Sequence, residues 1–238
     1  EGIDSTHNAE FTMLEAYQAY GDYDTMAALT RSVVIDAARA TGRTVIRDDQ
    51  GRELDLEAPW QRTTLHHAVS NAVGAEVTID TDADRLRELA AKHDVHLDDD
   101  WGHGEIVLEL FEKLVERTVQ TPTFVCDYPE SVRPLARPHR DEPRLTEAWD
   151  LVIAGVELAV AYSELTDPVI QRERLIAQSE LAAQGDPEAM QLDEDFLRAL
   201  EYGMPPTGGM GLGIDRLVML LTGTGIRDTI LFPLVKPE

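Results

Sequence analysis

Residues 149–165, WDLVIAGVELAVAYSEL, constrain the fold more than any other stretch. Trp149 to Ala154 and Val156 to Leu165 read as two strands around Gly155. The pair carries Asp150, Glu157 and Glu164 in an otherwise apolar run. A buried carboxylate without a partner costs several kcal/mol at order of magnitude. These three are therefore expected to meet a metal, an arginine or a ligand ammonium. Oxygen ligands of this kind suit Mg²⁺ beside substrate phosphates. The plainer alternative, a solvated strand face, is opposed by the apolar neighbours.

The rest of the chain alternates strands and helices. Glu10 to Gly21 has period two, which predicts a strand. One of its faces carries Phe11, Met13, Glu15 and Tyr17. Asp24 to Thr41 has helical spacing, with Asp24 as expected N-cap and Gly42 just past the end. RTVIR, DDQG and RELDLE predict a hairpin. Helices are expected at Thr63–Val73, Asp82–His93 and Glu105–Val119, then a strand at TPTFVCDYP and a loop rich in Pro and Arg, SVRPLARPHRDEPRL. Asp167 caps an expected helix over Pro168–Ala183, and another follows at Asp193–Tyr202. PPTGGMGLGIDRLVMLLTG predicts a glycine-rich strand running into a helix, and TILFPLV a last strand. The pattern predicts an α+β fold with a mainly antiparallel sheet flanked by helices.

Charge narrows the function. The 238 residues carry 21 Lys and Arg against 45 Asp and Glu, a formal net charge of −24. General affinity for a phosphate backbone needs the opposite sign, so any nucleic-acid contact should be small and local. One cysteine, Cys126, excludes an intrachain disulfide framework. No apolar stretch is long enough to span a bilayer.

Two further features carry chemistry. The Phe11–Tyr17 face sets an aromatic, a thioether, a carboxylate and a phenol in a row. It is either a pocket wall for a flat ring and a cation, or an edge where Glu15 pairs with an arginine. In GGMGLGIDR, residues 208–216, the glycines allow close backbone approach to a flat ligand. Arg216 sits at a helix start, where a cation opposes the helix dipole. It either holds an anion or pairs with Asp215 or Glu157.

On these segments the chain resembles class II lysyl-tRNA synthetases. EGIDSTHNAEFTMLEAYQAYGDY is similar to the family's motif 2, and GGMGLGIDRLVMLL to its motif 3. AYSELTDPVIQRER and LDEDFLRALEYGMPPTGGMG resemble lysine-specific segments between them. The resemblance implies a class II aminoacyl-tRNA synthetase fold, present in part: residues 1–238 as the C-terminal part of the catalytic domain, from the second half of motif 2 to motif 3. A helical insertion is expected at about 60–120. It implies ATP-binding roles for Glu1, His7, Asn8, Phe11, Gly211, Gly213 and Arg216. Phe11 would stack on adenine, and Arg216, the catalytic candidate, would hold the γ-phosphate. Glu15, Tyr17, Tyr162 and Glu164 would surround the lysine side chain. Asp150 and Glu157 would hold Mg²⁺ with ATP. Implied partners are ATP, L-lysine and the acceptor end of tRNA(Lys), with a homodimer in the full-length protein.

The family's motif 2 arginine, its motif 1 and its anticodon-binding domain would all precede Glu1. The resemblance therefore implies a fragment, inactive alone. Three positions depart from the usual pattern. Val160 stands for Asn, Asp150 for Glu and Arg133 for Ser. Val160 and SVRPLARPHR look most like the synthetase part of bacterial bifunctional lysylphosphatidylglycerol synthetase/lysyl-tRNA synthetases. That resemblance implies a cytoplasmic domain that meets the plasma membrane only through a domain outside this chain. A paralogue lysylating a protein such as elongation factor P, or a non-catalytic lysine-binding regulator, are the alternatives.

Overall fold

The computed structural model describes residues 7–48, 50–183 and 189–233. Their centre is a six-stranded sheet in the order β1-β8-β7-β6-β5-β4. The strands are β1 (Met13–Ala19), β4 (Gln61–Thr64), β5 (Thr123–Pro129), β6 (Leu145–Ile153), β7 (Val156–Ser163) and β8 (Thr207–Gly213). All neighbours run antiparallel except β4 and β5. The predicted hairpin forms a separate two-stranded sheet of β2 (Val45–Arg47) and β3 (Glu53–Asp55).

Helices cover both faces. α1 (Tyr23–Thr41) and α7 (Ile214–Thr222) close one side. There Met26, Val34 and Leu217 pack on Trp149, Leu151, Ala161 and Leu212. Trp149 is fully buried, and its indole N–H donates to the Tyr23 carbonyl at 2.7 Å. A buried indole needs that partner. α2 (Leu65–Val73), α3 (Ala83–Lys92) and α4 (His103–Leu114) cover part of the other side. Their core of Leu65, Leu86, Ile106 and Leu110 meets Val125, Tyr128, Ala148 and Val152 of the sheet. They leave the β6-β7-β8-β1 part of that face for the site. α5 (Pro168–Ala183) and α6 (Glu194–Glu201) lie between β7 and β8 in sequence.

The β6–β7 turn shows how the two strands expected around Gly155 are joined. Ala154 has φ 52° and Gly155 φ 75°, as a two-residue type I′ connection requires. Their N–H groups donate to the Gln120 and Val119 carbonyls at 2.9 and 2.7 Å, which offsets the strain at alanine.

Four expectations need correction. The cap of α1 is Asp22, whose side chain accepts from Thr25 N–H in a capping box; Asp24 lies in the first turn and pairs with Arg62. The segment expected to begin a helix at Thr63 opens with strand β4. The helix from Glu105 starts at His103 and stops at Leu114, before a 3₁₀ turn over Glu116–Thr118. TILFPLV is not a strand where it is described: α8 (Ile226–Thr229) takes its first residue, Thr229, residues 230–233 pair with no strand, and residues 234 and 235 lie outside the described residues.

One acid-sensitive contact holds the α2–α4 layer. His66 Nε2 lies 3.0 Å from His103 Nε2, and His103 Nδ1 lies 2.8 Å from the Thr81 carbonyl. Burial, then the His103 charge, depress the His66 pKa to about 4. A depressed base binds its proton more readily in the unfolded chain. Stability from this contact is full above about pH 6.5 and is lost as pH falls towards 4. A thermal midpoint that falls between pH 6.5 and 4 in wild type, and falls less in His66→Phe, is the expected result; equal slopes would refute it.

Candidate active site

Sheet register assembles the predicted residues. Glu15 on β1 faces Gly211 on β8, Gly211 faces Val160 on β7, and Val160 faces Asp150 on β6. The next row is Tyr17, Gly209, Tyr162 and Ala148. Directly opposed residues point to one face, so both rows line the same floor. At Gly209 a Cβ would overlap Glu164 Oε1 and the Tyr17 ring, and at Gly211 it would come within 2.9 Å of Met13 Cε. The glycines are there because side chains from neighbouring strands fill their space.

The lysine candidates converge at one end of this floor. Tyr17 lies beside both Glu15 and Glu164, and its phenol pKa is raised by burial and then by these two charges. Burial pushes the Glu164 carboxyl up to about 7. Glu164 is held by its backbone, with N–H donating to the Thr207 carbonyl at 2.8 Å. Glu15 meets Tyr17 rather than an arginine. Tyr162 completes the group beside Glu164.

The ATP candidates line an adjoining cavity of 490 Å³. His7, Asn8, Phe11, Gly211, Gly213 and Arg216 all border it, with Glu157. Glu1 lies outside the described residues. Phe11 is 51% exposed, a free aromatic face. Asn8 is buried, donates to the Glu10 carbonyl at 2.6 Å and has Oδ1 without a partner. Arg216 follows the predicted pairing with Glu157: Nη1 donates to the Glu157 carbonyl at 2.6 Å and lies 3.7 Å from its carboxylate. Asp215 turns away and accepts from Thr12 N–H at 2.7 Å, fixing the start of α7 against β1.

The two metal candidates are neighbours. Burial and then the Asp150 charge push the Glu157 carboxyl well above its usual range, while Arg133 and Arg216 pull it back. Asp150 is buried, with Oδ2 at 2.5 Å from Arg133 Nη2 and Oδ1 without a partner. Among the described residues no three His, Cys, Asp or Glu side chains gather as a metal cage. Two carboxylates, one with an orphaned buried oxygen, fit Mg²⁺ that takes its remaining ligands from phosphates.

Sequence reasoning missed two residues behind the floor. Glu147 is fully buried and accepts from Arg137, Arg140 and Ser163. Arg174 anchors the loop before β6. Glu147 carried a signal: it is a carboxylate inside the apolar β6 run, as Asp150 is.

The profile for tRNA synthetases class II (D, K and N) matches residues 1–236. The chain belongs to this family. Among curated relatives, this synthetase domain is 54% identical over 242 residues to the lysylphosphatidylglycerol biosynthesis bifunctional protein LysX of Gordonia bronchialis, and 53% over 243 to that of Mycobacterium marinum. It is 51% identical over 240 residues to the lysine--tRNA ligase of Kineococcus radiotolerans. Each match covers 100% of the synthetase domain, but 21% of the first relative's length, 22% of the second's and 48% of the third's. The chain therefore spans about a fifth to a half of the curated relatives it matches. Among the described residues no helix is long and apolar enough to cross a membrane.

Proposed function

We propose that this domain is the C-terminal catalytic part of a lysine-specific synthetase, from the second half of motif 2 to motif 3, activating L-lysine with ATP and passing it to tRNA(Lys). One observation carries the reading: Glu15, Glu164 and Tyr17 meet on one patch of the sheet floor, beside the cavity that Arg216 borders. The family also covers D and N. An acidic pocket repels an aspartate carboxylate and offers no ion partner to asparagine, but pairs with an ammonium.

The residues then divide the work. Phe11 stacks on the adenine ring, and Gly211 and Gly213 let the nucleotide lie close to β8. Arg216 holds the γ-phosphate. Asp150 and Glu157 would hold Mg²⁺ with ATP, and the ion would supply charge neutralisation at the phosphates. Glu15, Tyr17, Tyr162 and Glu164 fix the lysine side chain so that its carboxylate oxygen faces the α-phosphorus. That oxygen forms a bond to phosphorus as pyrophosphate leaves. The tRNA 3′-terminal hydroxyl then attacks the lysyl carbonyl and AMP leaves. Positioning and fixed charge supply the acceleration. The α-phosphate arginine is proposed to come from sequence before Glu1, so residues 1–238 alone should not form lysyl-adenylate.

The names of the LysX relatives support a further role for the intact protein, in which its lysyl-tRNA also serves lysinylation of phosphatidylglycerol; that the intact protein is a homodimer is part of the same proposal. On that reading this domain stays on the cytoplasmic side and meets the membrane only through a domain outside it.

The test is ATP–pyrophosphate exchange by the intact protein, with lysine, aspartate or asparagine. Exchange with lysine alone is expected, and exchange driven by aspartate or asparagine would overturn the reading. pH adds a second check. With Glu164 titrating near 7 in the free site, an arriving ammonium must displace its proton at lower pH. Lysine affinity should fall by up to tenfold per pH unit below 7, with proton release in calorimetry at pH 6. A flat profile between pH 6 and 8 would remove Glu164 from the ammonium.

A further inference from the structure

Arg133 follows a 3₁₀ turn over Glu130–Val132. Its guanidinium lies on the Tyr128 ring, 4.4 Å from the centroid, and its Nη2 donates to Asp150 Oδ2 at 2.5 Å. Nη1 donates to the Val132 carbonyl at 3.1 Å, and Nε is buried without a partner. Its two terminal nitrogens are thus each engaged by a protein acceptor, and the ring stack fixes the guanidinium plane.

The loop that carries it is itself clamped. Arg174 of α5 is buried and donates through Nη1 to the Pro134 and Ala136 carbonyls at 2.8 and 2.6 Å. Its Nη2 pairs with Glu130 at 2.9 Å. Arg133 is thus a cation fixed beside one carboxylate of the metal pair, as Arg216 lies beside the other. The two carboxylates face two guanidiniums, which offset much of the negative charge that the pair, with Glu116 beside Glu157, would otherwise present to a divalent ion.

We propose that Arg133 is a resident cation of the metal site: it occupies Asp150 and keeps the Asp150–Glu157 pair from capturing a divalent ion until nucleotide phosphates supply further negative charge. Arg216 can release Glu157 to a phosphate when the nucleotide arrives. Arg133, stacked and clamped, stays and leaves Asp150 only its Oδ1 for the metal. It is a positioning residue, acting through Asp150. The proposal rests on the reading that Asp150 and Glu157 hold Mg²⁺.

The experiment titrates Mn²⁺ into the intact protein and follows free Mn²⁺ by electron paramagnetic resonance, with and without a non-hydrolysable ATP analogue. Wild type should bind Mn²⁺ at this site only with the analogue. Arg133→Gln should bind Mn²⁺ without nucleotide at least tenfold more tightly than wild type. Arg133→Met, which keeps an apolar stack on Tyr128, should do the same. The gain should vanish in Arg133→Gln/Asp150→Asn, and Arg133→Lys should stay closed. The proposal is overturned if the folded neutral variants bind no tighter than wild type, or if the gain survives Asp150→Asn. It is equally overturned if wild type binds Mn²⁺ as well without nucleotide as with it, an arm that needs no variant to fold. Wild type that takes no Mn²⁺ even with the analogue would instead remove the metal reading beneath it.

Discussion

Glu164→Gln in the intact protein weakens lysine binding roughly 10- to 150-fold and leaves ATP binding within about twofold. The range follows from the roughly 1.5–3 kcal/mol of a charge-assisted hydrogen bond. The substitution keeps size and backbone contacts, and the N–H of residue 164 still donates to the Thr207 carbonyl. Only the charge facing the ammonium is removed. The selectivity arises because Glu164 sits with Tyr17 and Glu15, while the nucleotide cavity is bordered by Phe11, Gly213 and Arg216. Pyrophosphate exchange with each substrate varied in turn measures both affinities. Equal losses would place Glu164 in general folding rather than in the pocket.

Glu147→Ala destabilises the protein by about 3 kcal/mol, the scale for removing one partner of a buried charged network. Glu147 has no exposed side-chain surface, and three donors converge on it from two segments: Arg137 and Arg140 from the loop, Ser163 from β7. Ser163 Oγ in turn accepts from Tyr23 N–H at 3.1 Å, tying in the start of α1. Burial pushes the Glu147 carboxyl up, but these hydrogen bonds together outweigh it and hold the group down to about 2. Its contribution is therefore full above pH 4.5 and is lost as pH falls through 2. Urea unfolding at pH 7 checks the magnitude, and a loss under about 1 kcal/mol would refute it. Because Ser163 precedes Glu164, the same variant should also weaken lysine binding, by less than Glu164→Gln does.

Much of this site was readable from local pattern. Period-two alternation found the face of Glu15 and Tyr17, and the glycine run found β8 and the Arg216 helix. Apolar sequence around Asp150, Glu157 and Glu164 marked them as charges in need of partners; Asp150 is buried, while Glu157 and Glu164 are half-buried. What stayed hidden depends on contacts distant in the chain. β4 is a short, polar strand, QRTT, at a sheet edge; nothing in it alternates, and only pairing with β5 makes it a strand. Asp22 and Asp24 are both sound caps by residue type, and the reciprocal bond with Thr25 decides between them. Arg133 stood out as an unusual residue, but its partner lies 17 positions away on β6, a pairing that spacing alone does not reveal. TILFPLV is rich in residues that favour strands, yet Thr229 closes the helical turn α8 and Ile230 to Pro233 form no strand.

The two cross-strand rows have one more consequence. Side chains alternate with period two, so a slip of one residue between β7 and β8 would turn Val160 and Tyr162 to the opposite face. Leu158, Ala159 and Ala161, now in the core, would take their place, and the pocket would vanish entirely. No partly correct pairing keeps a weakened site. Substrate binding is in this sense a proofreader of assembly: ligands recognise only molecules whose β7–β8 register is right, and by mass action they draw the population towards it.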